Sequence, residues 1–245
     1  MQNDIIFGIR AVIEAIRSGK QVDKIWLKRG LRSELYHELM DLVKLHELTV
    51  QQVPDMSFRK FPNKNHQGVL AFMAPIEFQD MEAVIPALFE AGKVPFLLVL
   101  DKINDVGNFG AIIRSAECAG VDAVIIPAKG SARVSSDTVK TSAGAIHHVP
   151  VCKVKSLQSA IEYIRMSGIT LCAVTEKAEK LYHQQDYKQP LALLMGAEDR
   201  GIAKEFLEMA DLTVKIPLNG KIDSLNVSAA TAVVLFEAVK QRTLD

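Results

Sequence analysis

Hydrophobic and polar positions follow two different rules along this chain. Up to residue 75 they repeat with helical spacing or alternate. Ile9, Val12, Ile13 and Ile16 fall on one helical stripe that Gly19 stops, and Lys24-Ile-Trp-Leu-Lys28 alternates as a short strand. Leu35, Leu39, Leu42, Val43 and Leu45 mark a second helix within Leu31 to Leu48, and Leu48-Thr-Val50 and Gly68-Val-Leu-Ala-Phe-Met73 read as strands. This is a small α/β unit that opens with a helix. Beyond residue 95 the strands are apolar on both faces: Phe96–Leu100, Ala123–Ile126, Val149–Val154, Thr170–Val174, Leu191–Met195 and Leu212–Ile216. Helices are predicted between and after them over Asn108–Ala119, Ser135–Ser142, Leu157–Met166, Lys204–Ala210 and Leu225–Gln241. Strands without a polar face, joined by helices, predict a parallel sheet covered on both sides, with ligands at the carboxyl ends of its strands. A turn around Pro75 and a helix from Met81 to Ala91 separate the two patterns. The expected organisation is a domain over residues 1–75, a linker over 76–94 and a second domain over 95–245.

Composition narrows this picture only a little. With 49% hydrophobic residues the chain can bury a full core, and 29 basic against 29 acidic side chains give no overall field for a nucleic-acid partner. Residues 1–75 carry a mild basic excess, eleven against eight. No apolar run approaches the ~20 residues of a membrane span, and Met-Gln-Asn-Asp at the start lacks a basic stretch followed by an apolar one, so a cytoplasmic location is expected. Cys118, Cys152 and Cys172 are odd in number and widely spaced, which suggests small core residues rather than disulfides. The histidines, including adjacent His147 and His148, lack ligand spacing, so no metal is expected. Trp26, between Ile25 and Leu27, reads as a core anchor. The stretch Ser57-Phe-Arg-Lys-Phe-Pro-Asn-Lys-Asn-His66 interleaves cations with aromatics, as either a grip on an unpaired base and its phosphate or a solvated connection.

Candidate chemistry follows the apolar strands. After Leu97-Leu-Val-Leu100 comes Asp101-Lys-Ile-Asn-Asp-Val-Gly-Asn-Phe-Gly-Ala-Ile-Ile-Arg114. After Leu191-Ala-Leu-Leu-Met195 comes Gly196-Ala-Glu-Asp-Arg-Gly201. After Ile216 comes a polar loop with Asp223, Ser224, Asn226 and Ser228 at the start of the last helix, and Thr175-Glu176 is a weaker fourth case. Such a loop suits a small ligand at exposed helix N–H groups, although one cap, Ser224 or Asn226, would satisfy stability alone. Asn108 likewise reads as either a functional amide or the N-cap of its helix, and Glu198 as either a site carboxylate or a capping one. Arg114 reads as either a working charge or a buried ion pair. Neither glycine turn has the dinucleotide or phosphate-loop spacing, and there is no G-x-S-x-G turn.

Asn108-Phe-Gly-Ala-Ile-Ile-Arg114, Gly196-Ala-Glu198 with Gly201, and Ile216-Pro with Ser224-Leu-Asn-Val-Ser228 resemble, in order and spacing, the three motifs of the SpoU (TrmH-like) RNA 2′-O-methyltransferases of the SPOUT class. Residues 1–75 resemble the ribosomal-protein-like RNA-binding domain found in the ribosomal-RNA branch, Phe7 to Ile16 matching its opening helix.

The resemblance implies an α/β fold whose C-terminal parallel-sheet domain holds a trefoil knot, S-adenosyl-L-methionine as cofactor, a homodimer, and RNA crossing its interface. The reaction implied is methyl transfer to a ribose 2′-hydroxyl, of a guanosine in large-subunit ribosomal RNA, with a transfer-RNA enzyme or a noncatalytic RNA-binding assembly factor as the alternatives. Thr175, Gly196, Ile216, Leu218, Leu225 and Asn226 are implied at the cofactor, and Arg114 at the centre of catalysis, held by Asn108, Glu198, Asn226 and Ser228. A guanidinium has no acceptor atom and stays protonated, so Arg114 is expected to act by its charge. Two positions depart from the family pattern, Gly107, which is expected to loosen its loop, and Asp199, which adds negative charge near the RNA.

Overall fold

The computed structural model describes residues 5–46, 48–222 and 224–243, so Asp223 and the first four residues lie outside the described residues. The chain divides into two compact units, one over residues 5–77, which also takes in Val134–Ser136, and one over the rest of residues 78–243.

The first unit opens with a strand, β1 (Ile5–Phe7), where a helix was expected. Three apolar residues are too short to show a period, and β1 gains its place by antiparallel pairing with a later strand. It is followed by α1 (Ile9–Arg17), β2 (Val22–Lys28), α2 (Glu34–Leu45), β3 (Val50–Val53) and β4 (Val69–Met73) in a four-stranded sheet of order β1-β4-β2-β3. α2 begins three residues later than expected because Ser33 caps it, accepting from the Tyr36 N–H at 3.1 Å. β3 is shifted onto Val50–Val53, with Gln51 and Gln52 exposed between its valines. One face of the sheet packs Ile25, Leu27, Val69 and Ala71 against Val12, Ile13, Ile16 and Leu39 of the helices.

On the other face, Phe58 is only 2% exposed, stacks on His66 with ring centroids 4.7 Å apart, and packs with Val53 and Leu70. The stretch 57–66 is therefore not a free aromatic grip. A short 3-10 turn, Asp55–Lys60, turns its first aromatic inward, and Phe61 meets Phe7 edge-on at 5.5 Å. Trp26 is half-buried, T-shaped against Phe72 at 4.9 Å, with its indole N–H donating to Gln51.

The second unit runs α3 (Met81–Glu90), β5 (Phe96–Asp101), α4 (Val106–Cys118), β6 (Ala123–Pro127), α5 (Ser136–Thr141), β7 (Val151–Val154), α6 (Leu157–Met166), β8 (Thr170–Val174), β9 (Leu191–Gly196), α7 (Lys204–Met209), β10 (Leu212–Val214) and α8 (Val227–Thr243). Its six strands are all parallel, in the order β10-β8-β9-β5-β6-β7. β5, β6 and β9 are buried throughout, as strands covered on both faces must be. Leu97, Val99, Ile125 and Leu194 meet Ile85 of α3, Ile161 and Ile164 of α6 and Phe206 of α7 on one side. α4 and α8 pack on each other, and α8 also rests on β9. Cys152 and Cys172 are buried and burial pushes each thiol up to about 12, but Cys118 is exposed at the end of α4, against the core role expected of all three. Among the described residues no helix is long and apolar enough to cross a membrane, and no group of His, Cys, Asp or Glu could hold a metal ion.

Candidate active site

Because β5, β8, β9 and β10 are parallel, the connections after them leave the same edge of the sheet, and two cavities open there. The first, of about 400 Å3, is lined by Thr175 and Glu176 after β8, Gly196 to Gly201 after β9, and Ile216, Leu218, Ser224 and Leu225 from the segment between β10 and α8. Leu218 and Leu225 leave their side chains 37% and 40% exposed, apolar surface that a ligand would cover. The second, of about 390 Å3, is lined by Lys102, Asn104, Asp105 and Asn108 on one side and by Glu198 and Asp199 on the other. Ala197, Glu198, Asp199 and Val227 line both.

The loop after β9 is shaped by a missing side chain. A Cβ on Gly196 would stand 2.2 Å from both the Gly201 carbonyl carbon and the Ile202 nitrogen. Only glycine lets this turn fold back on the strand, where the Gly201 N–H donates to Ala197 O at 2.8 Å. Asp101, buried at the end of β5, holds the far side of the loop by accepting from the Ala203 N–H at 2.9 Å. Its other carboxylate oxygen is buried without a partner among the described residues. α7 starts at Lys204 with Ala203 at its N-cap, so Glu198 is not a capping carboxylate.

Glu198 instead joins the two cavities to the two helix starts. Its Oε2 accepts from the Asn108 amide at 2.9 Å and its Oε1 from the Asn226 amide at 3.2 Å, while Asn226 also donates to Asn108 Oδ1 at 2.9 Å. The amide orientations are forced. The Ser228 backbone N–H can only donate, and it points at Asn226 Oδ1 at 3.0 Å, which turns the Asn226 nitrogen toward Asn108 and Glu198. The Ser228 hydroxyl donates to the same oxygen. Asn226 thus caps α8 and belongs to the network at once. For Asn108 the capping reading fails, because α4 begins two residues earlier and Asp105 is its cap, accepting from the Asn108 N–H at 2.7 Å. Gly107 lies inside the first turn of α4 rather than in a loop, and a Cβ there would press to 3.0 Å from the capping oxygen of Asp105. Asp199 pairs with Arg200 at 3.2 Å, both largely exposed, a contact worth little.

The structure therefore gathers Asn108, Glu198, Asn226 and Ser228 by hydrogen bonds and Thr175, Gly196, Ile216, Leu218 and Leu225 around one cavity. It does not bring Arg114 to them. Arg114 lies on α4 about 9 Å beyond Asn108 and about a third of a turn round the helix. It is exposed, lines neither cavity and has no hydrogen bond or ion pair among the described residues. Among the described residues the expected hold on it by Asn108, Glu198, Asn226 and Ser228 is not made, since those four bond to one another, and Arg114 is exposed rather than a buried ion pair. Sequence reasoning missed Asp101, Lys102, Asn104 and Asp105. The signal available for them was the polar run that breaks off the apolar strand after Leu100.

Comparison with known proteins matches two stretches of the chain. Residues 95–236 match the SpoU rRNA Methylase family, and residues 5–79 match the domain described as RNA 2′-O ribose methyltransferase substrate binding. A Staphylococcus haemolyticus protein provisionally named a TrmH family tRNA/rRNA methyltransferase is 33% identical over 242 residues, covering 99% of this chain and 97% of its own length. Among solved structures, the SpoU methyltransferase AviRb from Streptomyces viridochromogenes in complex with AdoMet is 25% identical, with a TM-score of 0.62 over 97% of this chain and 90% of that one. The AdoMet-bound rRNA methyltransferase from Sinorhizobium meliloti is also 25% identical, with a TM-score of 0.63 over 99% and 88%. A family match over more than half the chain, and a relative sharing a third of its residues over nearly the full length, place this chain in the SpoU (TrmH-like) family of RNA methyltransferases.

Proposed function

We propose that this chain moves the methyl group of S-adenosylmethionine onto a ribose 2′-hydroxyl of RNA, the acceptor being a guanosine of large-subunit (23S) ribosomal RNA. The observation that carries the reading is the pair of adjoining cavities joined by the Asn108–Glu198–Asn226 network. The first cavity fits the cofactor. Its volume is in the range of small-molecule sites, Ile216, Leu218 and Leu225 supply apolar walls, and Thr175 and Ser224 supply polar rims. When bound, the cofactor supplies an electrophilic methyl group on a sulfonium. The AdoMet complexes of two similar structures support the same choice.

In this reading the second cavity takes the acceptor ribose, and the network fixes the wall between them, so that the hydroxyl is held in line with the methyl group. Glu198 has both oxygens committed to amides, so it positions Asn108 and Asn226 and is not the proton acceptor. Arg114 is kept as the catalytic candidate, clamping a phosphate or the developing alkoxide while the proton leaves to a phosphate oxygen or water. It acts on the site of a second subunit. A homodimer is supported by the exposed Val233 and Phe236 on α8, the helix packed against α4. The knot follows the family match and the motif resemblance; Leu181 pairs in parallel with Lys215 ahead of α8.

We assign RNA binding to the first unit, residues 1–75, with residues 76–94 as linker. β1, β2 and β3 run the same way and β4 runs opposite, so the ends of the first three and the start of β4 share one edge. Lys28, Arg29, Arg32, Arg59, Lys60 and Lys64 follow those ends, against Asp55 and Glu34. Lys28 holds Asp55 at 2.8 Å and keeps its carboxyl below the ordinary value, which leaves the other cations for phosphates. The ribosomal target follows the family description and the Sinorhizobium meliloti neighbour, and guanosine follows the motif resemblance.

The test offers the protein methyl-tritiated S-adenosylmethionine with unmodified large-subunit ribosomal RNA or transfer RNA. Label is expected in ribosomal RNA, in a dinucleotide that resists alkali because its 2′-oxygen is blocked. Label that alkali releases on a single nucleotide, or label confined to transfer RNA, overturns the reaction or the target respectively.

A further inference from the structure

Among the described residues three non-glycines have positive φ, Gln67, Lys102 and Ala143, and only Lys102 lines either cavity. Its φ is 57°, in the left-handed region where a Cβ crowds the backbone. Glycine would sit there without strain, so the side chain is held against a conformational cost. Its stem is guided by contact with Gly130, where a Cβ would lie 3.2 Å from Lys102 Cγ. The side chain is exposed and makes no ion pair or hydrogen bond among the described residues, although Asp105, Glu198 and Asp199 line the same cavity. Lys102 is the single cation among that cavity's lining residues. A polyanion entering the cavity would otherwise meet three carboxylates, of which only Asp199 has a cation beside it, the exposed Arg200 at 3.2 Å.

We infer that Lys102 is a substrate-binding residue of the second cavity, which takes an RNA phosphate next to the acceptor nucleotide and lets the backbone pass the carboxylates. The inference rests on the second cavity being the acceptor site, as proposed above. It predicts a separation between folding and substrate use that no purely structural lysine would show. Removing the side chain relieves the backbone while weakening RNA capture, and cofactor binding stays as it was.

The experiment compares the full-length protein with Lys102→Gly, Lys102→Asn and Lys102→Arg. Both neutral variants should raise KM for in vitro transcribed large-subunit ribosomal RNA about fivefold, with kcat changed less, and flatten the dependence of log KM on log salt by about 0.7 to 0.9, the release of one counterion. Lys102→Arg should keep the wild-type slope and most of the affinity. S-adenosylmethionine affinity by calorimetry should be unchanged in all three, and Lys102→Gly should melt no lower than wild type. Unchanged KM and salt slope in Lys102→Gly overturns the inference, as does a lower melting temperature together with lost cofactor binding. If the wild type methylates none of the RNA offered, the reading under Proposed function fails. Filter retention of the same RNA across the same salt series still judges Lys102.

Discussion

The two ends of α8 show how one helix serves two demands. At its C-terminal end, the Arg242 guanidinium donates to the carbonyls of Tyr187 at 2.8 Å, Gln189 at 2.7 Å and Val94 at 3.1 Å, and lies 4.6 Å from the centre of the Phe96 ring. Gln241 adds a bond in each direction to the same loop, donating to Gln185 O and accepting from the Tyr187 N–H, both at 3.0 Å. Those partners are backbone groups that would be left unsatisfied without it. At the N-terminal end, the partners of Asn226 are side chains from the first turn of α4 and from the loop after β9, standing beside open cavities. Backbone partners tie the helix down, while side-chain partners leave groups that a ligand can engage. Stability is thus concentrated at one end, and the other is the end to which the proposed function assigns the chemistry.

That division can be broken most severely at Gly196. Gly196→Ala drives a methyl group into backbone that cannot swing aside, so S-adenosylmethionine affinity should fall more than about 100-fold by calorimetry. Wild-type affinity would show that the loop folds otherwise. Next in size is Glu198→Gln, which sets an amide donor against two amide donors. It should lower kcat/KM about 100-fold with a melting temperature within about 2 °C of wild type. A large loss of stability instead would make the network structural. The opposite pattern is expected of Arg242→Ala, which should cost about 2 to 3 kcal/mol, seen as a fall of roughly 5 to 10 °C in melting temperature, while cofactor affinity stays within about twofold. Smallest is Glu237→Gln. Donation from Gln241, then from Lys240, holds the Glu237 carboxyl below its ordinary value, so its charge stabilises the fold above that value and ceases to do so as pH falls. The variant should melt about 1 to 2 °C lower at neutral pH, and the gap to wild type should close as acid protonates Glu237.

The sequence made the second unit legible because each of its strands is a short apolar run ended by a polar burst, and burial on both faces leaves no other pattern. The same rule led to the cavities, since all parallel strands deliver their loops to one edge. It did not show that Asn108, Glu198 and Asn226 bond to one another, because partners 90 and 118 positions apart carry no local signal. Nor did it show which side of α4 Arg114 takes. A charge between Ile113 and Ala116 looks buried in a linear reading, but the helix turns Ser115 and Arg114 outward and Ile113 and Ala116 in. In the first unit, β1 was too short to read, and Phe58 looked available because its burial depends on His66, Val53 and Leu70. The αL backbone of Lys102 leaves no mark at all in composition or period.

Asn226 is the last of the three amide and carboxylate partners to be made, 118 residues after Asn108, and it sits at the head of the final helix. During synthesis, then, Asn108 on α4 and Glu198 after β9 wait for their third member until the start of α8 has been made. A chain interrupted before residue 226 would carry Asn108 and Glu198 without the amide that bridges them.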